Sequence, residues 1–175
     1  LSKNMAADVS GAQLIIRQAL GEGRFALSGA EARDLLRAFH IPVAASVQGS
    51  LSLEEMDNQY RTREVMMRIT RDPIFGPVIG FGPGGFAADT LADSQIALPP
   101  LNNFLARELI DGTRAFGRLS RSHKLPAEDI DMLVEVLGRV SEIACELPEI
   151  VSLDINPLRL DEHGARAAAA RITIA

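Results

Sequence analysis

Residues 63–85 read REVMMRITRDPIFGPVIGFGPGG. Val65, Met67 and Ile69 alternate with Met66, Arg68 and Thr70, the period-two pattern of a strand whose two faces differ. Arg71-Asp72-Pro73 is turn chemistry, and Pro77 to Phe81 is a second run of strand formers. The pair predicts an antiparallel hairpin. It leads into Gly80-Phe-Gly-Pro-Gly-Gly85, which has G-x-G-x-x-G spacing. A dinucleotide fingerprint also needs a helix opening directly after the glycines and an acid about 20 residues on. Here Pro99-Pro100 soon follows instead, and Pro83 removes an amide that would face a pyrophosphate. No lysine follows the glycines, so a Walker loop is excluded. The run reads as a glycine turn that lets backbones approach closely.

Outward from the hairpin, helices and strands alternate without strict βαβ order. Ser10 and Gln13 have capping-box spacing ahead of an apolar stripe at Ala12, Ile15, Ile16, Ala19 and Leu20, stopped by Gly21 and Gly23. Ser28 and Glu31 repeat the device before Ala32, Leu35, Leu36 and Phe39. Residues 40–44, ending any helix at Pro42, read as a short strand, and residues 45–61 have no sustained period. A strand-like patch spans 94–98. Asn102 or Asn103 caps a helix carrying Leu105, Leu109 and Thr113, and a polar stretch containing Gly117 ends it. Pro126, Glu128 and Asp129 suit the first turn of a long helix striped by Ile130, Leu133, Leu137, Val140 and Ala144. Val151, Leu153 and Ile155 form a strand that Pro157 is expected to interrupt. A turn at 161–164 follows, and Ile172 and Ile174 close a last strand. The fold class expected is α/β (α+β), a layered domain with a mixed or antiparallel sheet.

The 47% hydrophobic content supports a core, which must be mostly aliphatic because the chain has one Tyr and no Trp. Net charge is −5 and no basic run stands out, which argues against a nucleic-acid surface. No apolar run approaches membrane-spanning length and no signal-peptide pattern opens the chain, so a cytoplasmic setting is expected. The first residue is not Met, which reads as a piece excised from something longer. Cys145 cannot form an internal disulfide and is expected as a small buried apolar residue. His40, His123 and His163 lie in separate segments and read as solvated or locally hydrogen-bonded.

Asp154-Ile-Asn156-Pro157 carries the sharper signal. A carboxylate and an amide oxygen two residues apart on a strand share a face, and such a pair suits a hard cation bridging to phosphates. The competing reading is the polar outer face of an edge strand.

In order along the chain stand Arg63 to Val78, the glycines followed by Asp89, Ala97-Leu-Pro-Pro-Leu-Asn102, and Leu153-Asp-Ile-Asn-Pro-Leu158. Together these resemble the C-terminal part of the ATP-grasp region of NDP-forming acyl-CoA synthetases. Within that group they are closest to the multidomain protein acetyltransferases fused to a GNAT domain. The resemblance spans about residues 24–45 and 61–175. It implies a grasp fold with part of the N-terminal lobe missing: a helical entry segment and first strand over 1–45, a shortened connection over 46–62, and the C-terminal subdomain over 63–175. It further implies ATP with Mg²⁺ as cofactor and a CoA thioester handled by the parent protein. Gly82, Gly84, Gly85 and Asp89 are the implied nucleotide-binding residues, with Asn156 and Asp154 at the metal. The parent would be an acid–thiol ligase or an acetyltransferase, with CoA-binding and GNAT domains as partners in the same polypeptide, this chain alone inactive and homo-oligomerisation left open. Three departures point to an alternative, a degenerate regulatory or structural module, the first being that Asp89 stands where the family commonly carries the longer Glu. Ala169 stands where the family carries a second metal-binding Asp, and the short stretch before the hairpin lacks the family's phosphate-contacting lysine.

Overall fold

A computed structural model of the chain describes residues 5–45, 63–85, 93–116, 125–162 and 164–175. The glycine-flanking Asp89, and with it His123, His163 and Gly117, lies outside the described residues. Two helices, α1 (Val9–Gly21) and α2 (Gly29–Ala38), precede the hairpin strands β1 (Arg63–Asp72) and β2 (Gly76–Pro83). β3 (Gln95–Ala97), α3 (Asn103–Gly112) and α4 (Ala127–Glu146) follow, then β4 (Ile150–Asp161), β5 (Gly164–Ala167) and β6 (Ala170–Ile174). The strand order is β3-β2-β1-β4-β5, with β6 pairing beside the first half of β4, and every pairing between these strands is antiparallel.

The hairpin forms as its sequence predicts, with Asp72 opposite Gly76. The Asp72 carboxylate accepts the amides of Ile74 (2.8 Å) and Phe75 (2.9 Å), and Gly76 takes the left-handed conformation at φ 75° that closes the loop. Those two backbone donors, Phe75 first, hold the Asp72 carboxyl below its usual range.

Helix ends differ in how faithfully they follow the sequence pattern. Ser28 and Glu31 make the complete capping box. Arg24 clamps the same Glu31 at 2.8 Å, so that this carboxyl falls to about 2, through Arg24 first and the Ser28 amide second. The first helix is instead capped by Asp8, whose side chain accepts from Gly11 N at 2.9 Å, and it begins one residue before Ser10. Aspartate is as good a cap as serine, and the one two residues earlier wins. Of the two asparagines, Asn102 is the cap, accepting from Leu105 N at 2.8 Å. The end of α2 is a Schellman motif: Ile41 N donates to Leu36 O and His40 N to Arg37 O, with His40 left-handed at φ 57°. His40 Nε2 also lies 2.9 Å from Ala6 O, a hydrogen bond to a residue 34 positions earlier rather than to a local partner.

Val65, Met67, Ile69, Ile79, Phe81, Leu153, Ile155, Ile172 and Ile174 line one face of the sheet, joined into a single core with Ala12, Ile16, Leu35, Leu36, Leu109, Leu133, Leu137 and Val140 from the four helices. The chain before the hairpin is part of this core. Ala26 bridges Thr173, and Val43 makes a parallel bridge with Ala167, all that remains of the strand expected over 40–44.

Three expectations are corrected. Pro157 does not interrupt the strand: β4 continues to Asp161 because Asn156 and Pro157 together face the single residue Met66, a β-bulge that takes the proline out of the ladder. The short strand β5 was not anticipated, since Ala-rich residues 164–167 carry no β-former signal. Cys145 is exposed rather than in the core, because the buried stripe of α4 runs through Val140, Ser141, Ile143 and Ala144 and leaves position 145 outside it. Partial burial of its sulfur, and then Glu146, raise the thiol pKa.

Candidate functional site

The sheet face turned away from the described helices carries the polar side chains. Cross-strand register sets one row across it: Ile96 opposite Gly80, Gly80 opposite Arg68, Arg68 opposite Asp154, and Asp154 opposite Arg171. Directly opposed residues share a face, so these five residues from β3, β2, β1, β4 and β6 lie side by side. At about 4.8 Å per strand the row is roughly 19 Å long. Ile96 is 72% exposed at one end, and Arg171 is exposed at the other. In the middle Arg68 pairs with Asp154, Nε to Oδ1 at 3.1 Å and Nη2 to Oδ2 at 3.4 Å. The Ser152 and Thr173 hydroxyls, 2.6 Å apart, continue the polar face beside the row.

The glycine turn sits at the next level of the sheet. Gly82 is opposite Met66, and a Cβ on it would stand 2.9 Å from Asp93 O. A Cβ on Gly84 would stand 2.4 Å from Val65 O, inside the backbone of β1. Gly85 is left-handed at φ 59°. These are the close approaches that only glycine permits. Two hydrogen bonds fix the turn to the sheet: Gly84 N donates to Glu64 O at 3.0 Å, and Gly85 N donates to Asn156 Oδ1 at 2.7 Å. Asn156 N in turn donates to Ala169 O at 3.1 Å. The bulge thus turns Asn156 toward the glycines and brings position 169 beside it. On the far side, buried Asp93 accepts the amides of Arg114 and Ala115, both at 2.8 Å, tying the start of the β3 stretch to the end of α3.

The structure therefore brings Gly82, Gly84, Gly85 and Asn156 together around one turn, with Asp154 one row away and paired to Arg68. Asp89 is not among the described residues. The sequence does not single out Arg68, Arg171 or Ile96 as site residues, and Gly80 enters it only as the first glycine of the G-x-G-x-x-G spacing. The alternation of Arg68 with Val65, Met67 and Ile69, and of Arg171 with Ile172, was signal enough to put both arginines on the polar face; what it could not supply was the register that aligns them.

Residues 44–174 match the family model of the ATP-grasp domain. The chain belongs to the ATP-grasp family. It is 36% identical over 112 residues to the beta subunit of an ADP-forming acetate–CoA ligase I of Pyrococcus furiosus, covering 64% of this chain and 48% of that protein. Over 120 residues it is 31% identical to the ADP-forming acetate–CoA ligase I of Archaeoglobus fulgidus, 69% of this chain and 17% of that one. The chain thus spans half or less of the curated relatives it matches. Among solved structures, the dinucleotide-forming acetyl-coenzyme A synthetase 1 of Ca. Korarchaeum cryptofilum, in complex with coenzyme A and Mg-AMPPCP, superposes with a TM-score of 0.77 at 23% identity, over 94% of this chain and 100% of that one. PH1788 of Pyrococcus horikoshii gives 0.78 at 24% identity, over 95% and 98%. At these identities the two structures establish the shared fold, an ATP-grasp-like antiparallel sheet packed by helices. Among the described residues of this chain, no helix is long and apolar enough to cross a membrane.

Proposed function

We propose that this chain is the ATP-grasp part of an ADP-forming acyl-CoA synthetase-like protein, and that the face of its sheet turned away from the described helices receives the nucleotide. The observation that carries the proposal is the union of the glycine turn with Asn156. A left-handed glycine turn held by a side-chain amide, beside a row graded from apolar Ile96 to cationic Arg171, offers a base and a phosphate chain complementary places. Gly82, Gly84, Gly85 and Asp89 would form the rim. The family match over 44–174 supports the nucleotide, and the ligase relatives support an acid–thiol ligase as the parent, handling a CoA thioester in neighbouring domains. A fused GNAT domain and an acetyltransferase parent are a narrower proposal, resting on the Ala97 to Asn102 stretch alone.

Mg²⁺ is implied by the family, with Asp154 and Asn156 as its expected ligands. These residues do not fit it well. Both Asp154 oxygens face Arg68, Asn156 Oδ1 accepts from Gly85, and position 169 beside Asn156 is alanine. Among the described residues no group of three or more His, Cys, Asp or Glu side chains could hold a metal ion. That donor set favours a second reading, a non-catalytic module that senses nucleotide or acyl-CoA for a catalytic neighbour.

Two measurements on the full-length protein separate these readings. Calorimetric titration with ATP tests nucleotide binding, and Asn156→Ala, which frees the glycine turn, is expected to weaken it. Formation of ATP from ADP, phosphate and acyl-CoA tests the ligase reading. Binding with turnover supports the ligase, binding without turnover supports the sensing module, and no binding overturns both.

A further inference from the structure

We infer that the polar row binds the phosphates of a nucleoside polyphosphate through the guanidinium groups of Arg171 and Arg68, without a divalent cation. This deepens, and rests on, the nucleotide reading above. A divalent cation earns its place at a phosphate site by bringing positive charge that carboxylates and amide oxygens hold in position. Here the charge is already built into the chain. Arg68, Asp154 and Arg171 occupy consecutive places across three strands, two guanidiniums to one carboxylate. Asp154 is committed to Arg68 through both oxygens. Arg171 is exposed and directly opposite Asp154, and its side chain forms no ion pair or hydrogen bond among the described residues. The row therefore presents surplus positive charge where a cation-binding row would present surplus negative charge.

A cation placed at Asp154 would have to displace Arg68 and then lie between two guanidiniums. Like charges a few ångströms apart at a half-exposed site oppose each other by kilocalories rather than tenths. The amide oxygen of Asn156 already accepts from Gly85 N, and a single neutral oxygen offsets little of that repulsion. Ala169 has no side-chain donor, and its carbonyl is taken by Asn156 N. A phosphate, by contrast, meets a planar fork of N–H donors suited to two of its oxygens. Gly80, which lies between Arg68 and Ile96 in the row, places no side chain there. The apolar end at Ile96, two strands from Arg68, gives the base somewhere to lie and points to a nucleotide rather than free phosphate.

The sign of one substitution separates the two kinds of site. Asp154→Asn removes a cation ligand but also releases Arg68, so it weakens ATP at a metal site and tightens it at a guanidinium site. The experiment is ATP titrated calorimetrically into the full-length protein, in EDTA and again in excess Mg²⁺, for wild type, Asp154→Asn, Arg171→Gln and Arg171→Lys. Thermal melts confirm that the variants are folded. The expected result is binding in EDTA at least as tight as in Mg²⁺. Arg171→Gln should weaken it by about tenfold or more, the worth of one charge-assisted contact, with partial recovery in Arg171→Lys. Asp154→Asn should tighten it. Binding that requires Mg²⁺ and is lost in Asp154→Asn overturns the inference and leaves the nucleotide reading standing. EDTA binding unaffected by Arg171→Gln also overturns it. No ATP binding in either buffer overturns the inference and the nucleotide reading together.

Discussion

Gly84→Ala tests whether the glycine run is built for close backbone contact. A Cβ at position 84 would lie 2.4 Å from Val65 O, 2.5 Å from Val65 C and 2.9 Å from Val65 N. All three are backbone atoms of the central strand β1, so no side chain can swing away to make room. Either the turn lifts off β1 or β1 distorts, and lifting breaks the Gly84 N to Glu64 O bond. Overpacking costs about 1–3 kcal/mol, and the lost hydrogen bond adds about 1. At roughly 2–4 °C per kcal/mol for a domain of this size, the melting temperature should fall by about 5–15 °C. Gly80→Ala is the matched control: its nearest contacts would be 3.7 Å and 3.9 Å, ordinary van der Waals distances. It removes a flexible residue from a strand interior, so it should be neutral or stabilising by about 0.5 kcal/mol. Calorimetric or circular-dichroism melts of both variants make the comparison. If Gly84→Ala melts with the wild type, or Gly80→Ala loses as much as Gly84→Ala, the close-approach explanation is wrong.

Other perturbations reach the supporting structure. Asp93→Ala leaves the part-buried amides of Arg114 and Ala115 without their acceptor and should cost about 1 kcal/mol or more, seen as a lowered denaturant midpoint at unchanged slope. Ser28→Ala removes half of the capping box on α2 and should cost about 1 kcal/mol in the same assay. Stability should also depend on Glu31 in acid. Its carboxyl is lowered from 4.5 to about 2 in the folded chain, so its contribution is complete above pH 4.5 and disappears as pH falls toward 2. The melting-temperature gap between wild type and Glu31→Gln should therefore narrow over that window, and a gap constant with pH would refute the assignment.

The sequence carried the local devices well and the long-range ones poorly. The hairpin, the Ser28–Glu31 box and the stripe of α2 came from spacing, because each depends on residues within a turn or two of one another. Asp8 was passed over for Ser10 because both are good caps and only the backbone decides between them. The bulge at Asn156-Pro157 could not be read, since it is defined by what lies across from it on β1, nearly a hundred residues earlier in the chain. The same is true of the candidate site. Asn156 and the glycines were named, but their hydrogen bond, and the alignment of Arg68 and Arg171 on either side of Asp154, exist only through strand register. The family resemblance bridged part of that distance. It pointed to Asp154 as a metal ligand and gave no reason to look for the arginine that occupies it.

The central claim is that nucleotide lies on the sheet face turned away from the described helices, between the glycine turn and the arginine row. Hydrogen–deuterium exchange of the full-length protein with and without ATP addresses it directly. The account predicts slowed exchange in peptides covering residues 63–85 and 150–175, with peptides from α1 unchanged. Protection confined to the helices, or no protection in β1, β2 and β4 at saturating ATP, would contradict it.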